Sequence, residues 1–293
     1  MRRREFLTSA SASALALLSP AVSGQNAVSA PSTGRLKFGA FLQAFGPNRQ
    51  LEDACKDAVK LGIQGLELVK PADWPTLRKY GLTPALHIVG GFVQTGGVNA
   101  IAMPEAQGDY LKQFHAGIDV AAASPGTEIV LLAGSRVPGI SDQQGADNAV
   151  AFCNQVKAHA EDKGVNLVLE INNRQGIGAA KNAIFDRTSW GVDVIKRVNS
   201  PRIKVLYDTF QAQMSEGDVV QTIRDNIQSI GHIHTGGVPG RHQPDETQEL
   251  NHHFIAQAIA GLGFKGWVSH EWSPSAGSDP FTTLQKVIAI MTV

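Results

Sequence analysis

The sequence predicts an α/β fold, a single parallel (β/α)8 barrel, on three observations. Eight short apolar runs recur along the chain, separated by segments whose apolar residues fall at helical spacing. Several of those segments end at a glycine just before the next run, where a left-handed residue without Cβ closes a helix. The phosphate-gripping turns of the competing doubly wound sheet are missing. No Gly-x-x-x-x-Gly-Lys-Ser/Thr loop occurs, and the nearest match to Gly-x-Gly-x-x-Gly is Gly176-Ile177-Gly178, with Lys181 in place of the third glycine. That stretch is expected to be a flexible loop.

The first two runs are Leu36–Leu42 and Gly65–Val69, with Leu61-Gly62 closing the helix between them. Pro84–Val89 and Glu128–Ala133 follow. Ala146, Val150, Cys153, Val156 and Ala160 then mark a long helix that stops at Lys163-Gly164. Val165–Ile171 and Lys204–Phe210 are the fifth and sixth runs, and Ile230–His234 is the seventh. A helix ending at Leu262-Gly263 leads into Trp267–Trp272, and Phe281, Leu284, Val287, Ile288 and Met291 trace the last helix. No repeat, low-complexity tract or long linker follows residue 35. One barrel domain over residues 36–293 is therefore expected, near the ~250 residues typical of the fold.

Composition narrows the function. Hydrophobic residues are 43% and charged residues 18% of 293, enough for a substantial core. The 26 basic and 26 acidic residues cancel, which argues against a nucleic-acid or anionic-membrane binder. Cys55 and Cys153 are too few for a disulfide scaffold or a structural zinc site. Residues 1–29 read as a leader. Arg2-Arg3-Arg4 precedes Glu5-Phe6-Leu7, then an apolar stretch from Ala10 to Leu18, then small-residue cleavage patterns ending at Ser23 and at Ser29. The stretch is too short for a stable anchor in a bilayer of ~30 Å. Paired arginines ahead of Phe-Leu resemble a twin-arginine signal, with an ordinary secretory signal as the alternative. A periplasmic protein, carried by the twin-arginine export machinery, is the expectation.

In such a barrel the C-terminal strand ends converge on one mouth. The fifth to eighth runs end there in Glu170, Asp208, His234 and Glu271. A lone carboxylate at a strand end often caps the next helix or pairs with a neighbour. Three at one mouth would repel each other unless a cation or a basic residue joined them, and a structural ion-pair network is the plain alternative. Glu, Asp, His and Glu together favour a hard or borderline divalent ion: Mn²⁺ or Mg²⁺ first, Co²⁺ or Zn²⁺ otherwise.

Three stretches carry a resemblance. They are His232-Ile233-His234 with Val238-Pro239-Gly240-Arg241-His242-Gln243-Pro244 and Glu249-Leu250-Asn251; Gly266-Trp267-Val268-Ser269-His270-Glu271-Trp272; and Leu61-Gly62-Ile63-Gln64-Gly65-Leu66-Glu67. Over residues 36–290 the chain resembles the xylose isomerase-like TIM barrel superfamily of sugar isomerases and epimerases, most closely its hydroxypyruvate isomerase-like branch. The resemblance implies that Glu170, Asp208, His234 and Glu271 hold one divalent metal, and that Glu170 and Glu271 are the catalytic acid/base pair. The chemistry is coherent: a chelated ion acidifies the C–H of an α-hydroxy carbonyl compound or keto sugar, and two carboxylates pass the proton through an enediolate. Members of that branch usually carry glutamine at His234, which is the better metal ligand here, and histidine at Gln211. Gly236-Gly237 replaces a bulkier pair and is expected to open its loop.

Further substrate-binding candidates are Arg241, His242, Gln211, His87, Glu67 and Asn172. For Arg241 and His242 the alternative is a loop salt bridge with Asp245 or Glu246; for His87, a core position; for Glu67, structural pairing; for Asn172, orienting its loop. His232 is expected one layer deeper, supporting a metal carboxylate from behind. His252-His253 reads as solvated surface. The expected partner is a small-molecule sugar or keto-acid, with a homo-oligomer left open. A lyase or hydrolase acting on oxidised glycosides with the same metal site, and a non-catalytic periplasmic sugar-binding barrel, remain alternatives.

Overall fold

A computed structural model describes residues 36–90, 100–175 and 181–293. The leader and Gly176-Ile177-Gly178 lie outside the described residues. Eight parallel strands close a barrel in sequence order: β1 Lys37–Phe41, β2 Gly65–Glu67, β3 Thr83–Ile88, β4 Glu128–Leu132, β5 Asn166–Glu170, β6 Ile203–Asp208, β7 Ile230–Thr235 and β8 Trp267–His270. Each coincides with one of the apolar runs.

Helices cover the outside of the sheet: α1 Leu51–Leu61, α2 Trp74–Lys79, α3 Asp109–Ala122, α4 Asp142–Lys163, α5 Thr188–Val198, α6 Thr209–Ser215, α7 Val219–Asn226, α8 His252–Gly261 and α9 Pro280–Met291. Their ends follow from local chemistry. Ser141 and Gln144 form a reciprocal capping box at the start of α4, which satisfies helix donors that would otherwise lack partners. Gly62 and Gly164 close α1 and α4 in the left-handed region, at φ 73° and 69°.

The core has two parts. The larger fills the space between strands and helices, with Phe114, Phe152, Ile118 and Leu284 among its fully buried members. A smaller one, Leu86, Val130, Val168 and Leu206, plugs the barrel itself beside Leu68, Ile88 and Leu132. Around it the interior is polar, because the inward positions of β2, β4 and β7 carry Glu67, Glu128, His232 and His234, all buried. Gly39 on β1 makes room for them. A Cβ there would collide with the Ser269 hydroxyl and stand 3.3 Å from a Glu67 carboxylate oxygen.

Candidate metal centre and active site

Four strand ends deliver four potential ligands to one point. A ligand atom from each of Glu170, Asp208, His234 and Glu271 lies within 4.8 Å of every other. Asp208 combines two roles. As N-cap of α6, its Oδ1 accepts from the backbone N–H of Phe210 at 2.8 Å and of Gln211 at 3.3 Å, which aims the other oxygen at the cluster. Glu271 stands one residue past β8, where its N–H donates to Thr235 O at 3.0 Å. His234 is fully buried, with Phe41 edge-on to its ring at 5.3 Å.

A buried chain of groups supports His234 from below. Its Nε2 hydrogen bonds Glu67 Oε2 at 3.0 Å, while Glu67 Oε1 lies 3.0 Å from His232 Nε2. His232 Nδ1 in turn meets Glu128 Oε2 at 2.8 Å. Burial opposes charge on Glu67, yet the two imidazoles hold its carboxyl well below the ordinary carboxylate range. With Nε2 facing Glu67, Nδ1 of His234 faces the carboxylates, 2.7 Å from Glu271 Oε2 and 3.6 Å from Glu170 Oε1, and its proton would be given up to bind a metal ion there.

That orientation fits a cation. His234 Nδ1 and Glu271 Oε2 are both buried and lie 2.7 Å apart, an ion pair whose imidazole proton a metal ion would replace. Burial lowers the His234 pKa, but the Glu67 and Glu271 carboxylates more than reverse this and push it well above the usual histidine value. Positive charge is therefore favoured where the imidazole faces the acids. Three oxygen donors and one imidazole suit Mn²⁺, Mg²⁺, Co²⁺ or Zn²⁺.

Arg241 also reaches this point. Its Nη2 lies 2.7 Å from Asp208 Oδ2 and 2.5 Å from Glu271 Oε2, and its guanidinium sits over the Phe210 ring at 5.3 Å. Its partners are thus the strand-end acids rather than Asp245 or Glu246. Asp245 instead accepts from Thr247 and Gln243.

For several candidates the structure shows contacts that match the plainer sequence reading, and for others it changes the expected surroundings. Glu67 belongs beneath the cluster rather than to a substrate face, because both its oxygens are engaged by imidazoles. His232 supports no expected metal carboxylate; it braces Glu67, one step further from the centre. His87 turns outward because Leu86 and Ile88 on either side of it line the barrel, and it packs edge-on against Trp74 of α2 at 5.6 Å. Gln211 directs its amide oxygen to the backbone N–H of Asn173 at 3.0 Å and to that residue's side-chain amide, so it fastens the loop after β5. Asn172 joins the same contact, its Oδ1 3.5 Å from Gln211 Nε2. His242 is exposed, with Nδ1 donating to Ser273 O at 3.0 Å, and does not reach the cluster. The Gly236-Gly237 loop is pinned rather than open, since Gly237 N donates to His242 O at 2.8 Å. His252 is buried and only His253 is exposed, at the start of α8. Glu128 was not anticipated. A carboxylate at an inward position of an otherwise apolar strand was its only signal.

A family model described as a xylose isomerase-like TIM barrel matches residues 55–291. The chain belongs to that family. Among its relatives, a 2-oxo-tetronate isomerase of Cupriavidus necator is 30% identical, over 68% of this chain and 75% of the relative. A 2-oxo-tetronate isomerase of Pectobacterium atrosepticum is 26% identical, over 81% of this chain and 92% of the relative. Solved structures share the fold. An AP endonuclease, family 2, from Brucella melitensis superposes with a TM-score of 0.74 at 21% identity, covering 84% of this chain and 95% of that one. A 3-keto-D-glucoside 4-epimerase from E. coli gives 0.72 at 19% identity, covering 87% and 98%.

Proposed function

We propose that this xylose isomerase-like barrel is a divalent-metal-dependent isomerase or epimerase acting on an α-hydroxy carbonyl compound or keto sugar. The observation that carries the reading is the convergence of ligand atoms from Glu170, Asp208, His234 and Glu271 within 4.8 Å of one another. Relatives named as isomerases support it. These four residues would hold the metal, Mn²⁺ or Mg²⁺ first among the candidates. When bound, the ion supplies Lewis acidity to neighbouring carbonyl and hydroxyl oxygens of the substrate, which acidifies the C–H bond between them.

The protein's own groups do the rest. One of Glu170 and Glu271 removes the carbon-bound proton, and the other returns a proton to the adjacent carbon or the opposite face of the same one. Arg241 offers a fixed positive charge to the enediolate oxygens and orients Glu271. Phe41 and Phe210 bring apolar surface to the site, which limits water access and strengthens these electrostatic contacts. We also place the protein in the periplasm on its leader sequence. That setting favours a free or oxidised sugar over a sugar phosphate.

The test is proton exchange in D2O, followed by NMR across α-hydroxy aldehydes and ketones, keto sugars and keto-glycosides. A substrate should take up deuterium at one carbon. Glu170→Gln and Glu271→Gln should each slow that exchange by about 10²–10⁴-fold with metal in excess. Exchange surviving both substitutions would overturn the assignment.

A further inference from the structure

The opposite end of the barrel holds a cavity of about 460 Å³ at the N-terminal strand ends. Its size lies within the ~300–1,000 Å³ range of small-molecule sites. Four cationic side chains line it: Lys37 at the start of β1, Arg202 just before β6, Lys204 on β6 and Lys265 just before β8. None of the four has a carboxylate salt-bridge partner among the described residues. Lys204 Nζ donates to Gln228 O at 2.9 Å, and Arg202 Nη1 to Asn166 Oδ1 at 3.1 Å. Lys37 Nζ sits 3.4 Å from the centre of the Trp267 ring.

One carboxylate, Glu128, lines the same cavity, and both its oxygens are already committed. Oε1 accepts from Asn166 Nδ2 at 2.9 Å, and Oε2 meets His232 Nδ1 at 2.8 Å. Thr127, also in the lining, has a buried hydroxyl with no hydrogen-bond partner. Unpaired like charges gathered in one recess repel each other and leave donor capacity unused. Burial lowers the Lys37 pKa despite the pull of Glu128, so its ammonium gains from any further negative charge.

We propose that this cavity is a binding site for a small multivalent anion of phosphate or carboxylate chemistry, separate from the strand-end cluster. The Arg202 guanidinium offers a planar fork to two oxygens of one group, while Lys37, Lys204 and Lys265 add point charges to the lining. The proposal does not rest on the metal chemistry proposed for the other mouth.

Calorimetry and thermal melting of the full chain, with inorganic phosphate and with malonate against sodium chloride at equal ionic strength, test it. Phosphate should bind and raise the melting temperature beyond chloride. Arg202→Gln should weaken phosphate binding about tenfold or more, since a charge-assisted pair is lost. Lys265→Gln alters an exposed side chain and should weaken it about threefold without affecting folding. It decides the matter if Arg202→Gln does not fold. Arg241→Gln, at the opposite mouth, should leave phosphate binding intact. Malonate competing with phosphate identifies shared oxyanion recognition, and phosphate binding without malonate competition identifies a preference for phosphate chemistry; both support the site. Equal binding in wild type and the Lys265→Gln variant, loss of binding in Arg241→Gln, or a melting shift no larger than that in chloride would overturn it.

Discussion

Replacing Glu67 with glutamine removes one charge from the centre of the barrel while preserving shape. Glu67 accepts from His234 on one oxygen and lies against His232 on the other, each at 3.0 Å. A glutamine amide offers one acceptor and one donor group, so one imidazole loses its acceptor in a buried setting. Leaving a buried polar group unpaired costs ~1–3 kcal/mol. For a barrel of this size that corresponds to a melting-temperature drop of about 2–12 °C in metal-free protein. His234, the imidazole proposed as ligand, also becomes less basic and less firmly oriented, an effect worth about 10–100-fold in metal affinity. Titration calorimetry with Mn²⁺ at fixed pH, paired with thermal melting after chelation, measures both. Metal affinity within twofold of wild type, with KM for substrate raised instead, would refute the reasoning and return Glu67 to the substrate face.

Other expectations follow from the same geometry. Arg241→Gln leaves Asp208 and Glu271 without their guanidinium; the metal-free protein should melt earlier, metal stoichiometry should persist, and kcat/KM should fall by about 10²-fold or more, as steady-state kinetics will show. The metal-free barrel should be most stable near pH 6.5. Burial lowers the folded pKa of His270 to about 3 and of His252 to about 4. Below pH 6.5 the unfolded chain therefore takes up protons that the fold refuses, and stability falls by up to about 1.4 kcal/mol per pH unit for each. Above pH 6.5 the sign reverses for His232 and His234. Burial opposes their charge, but carboxylates raise both pKa values, so their stabilising contribution is full below 6.5 and fades as pH rises through the raised values. Urea melts from pH 4 to 9 after chelation read this out, and stability climbing steadily to pH 9 would contradict it. Gly39→Ala should cost ~1–3 kcal/mol, because its methyl meets the Ser269 hydroxyl in a closed interior; a melting temperature equal to wild type would contradict the close packing.

The barrel was legible because its strands are short apolar runs of fixed direction, and the helix-closing glycines punctuate them. The strand-end acids and His234 were legible because parallel topology sends every strand's C-terminus to one mouth. What stayed hidden was contact across the barrel axis. His234 meets Glu67 from 167 residues away, and His232 meets Glu128 from 104, pairings that no local pattern encodes. Alternation did contain the answer for His87, since Leu86 and Ile88 take the inward positions, but the phase of that alternation is set only when the strand closes into the barrel. Arg241 was legible as a residue of the mouth, but its partners were not. Its partners lie on β6 and just after β8, whereas the nearest acids in sequence, Asp245 and Glu246, were the obvious candidates.

The central claim is that the four strand-end residues form one divalent-metal site, and metal binding tests it most directly. Protein stripped by chelation and titrated with Mn²⁺, Mg²⁺, Co²⁺ and Zn²⁺ should bind about one equivalent of at least one of them. Asp208→Ala should abolish that binding while His242→Ala, outside the cluster, should preserve it. Undiminished binding in Asp208→Ala, or failure of all four ions to bind the wild-type protein, would contradict the account.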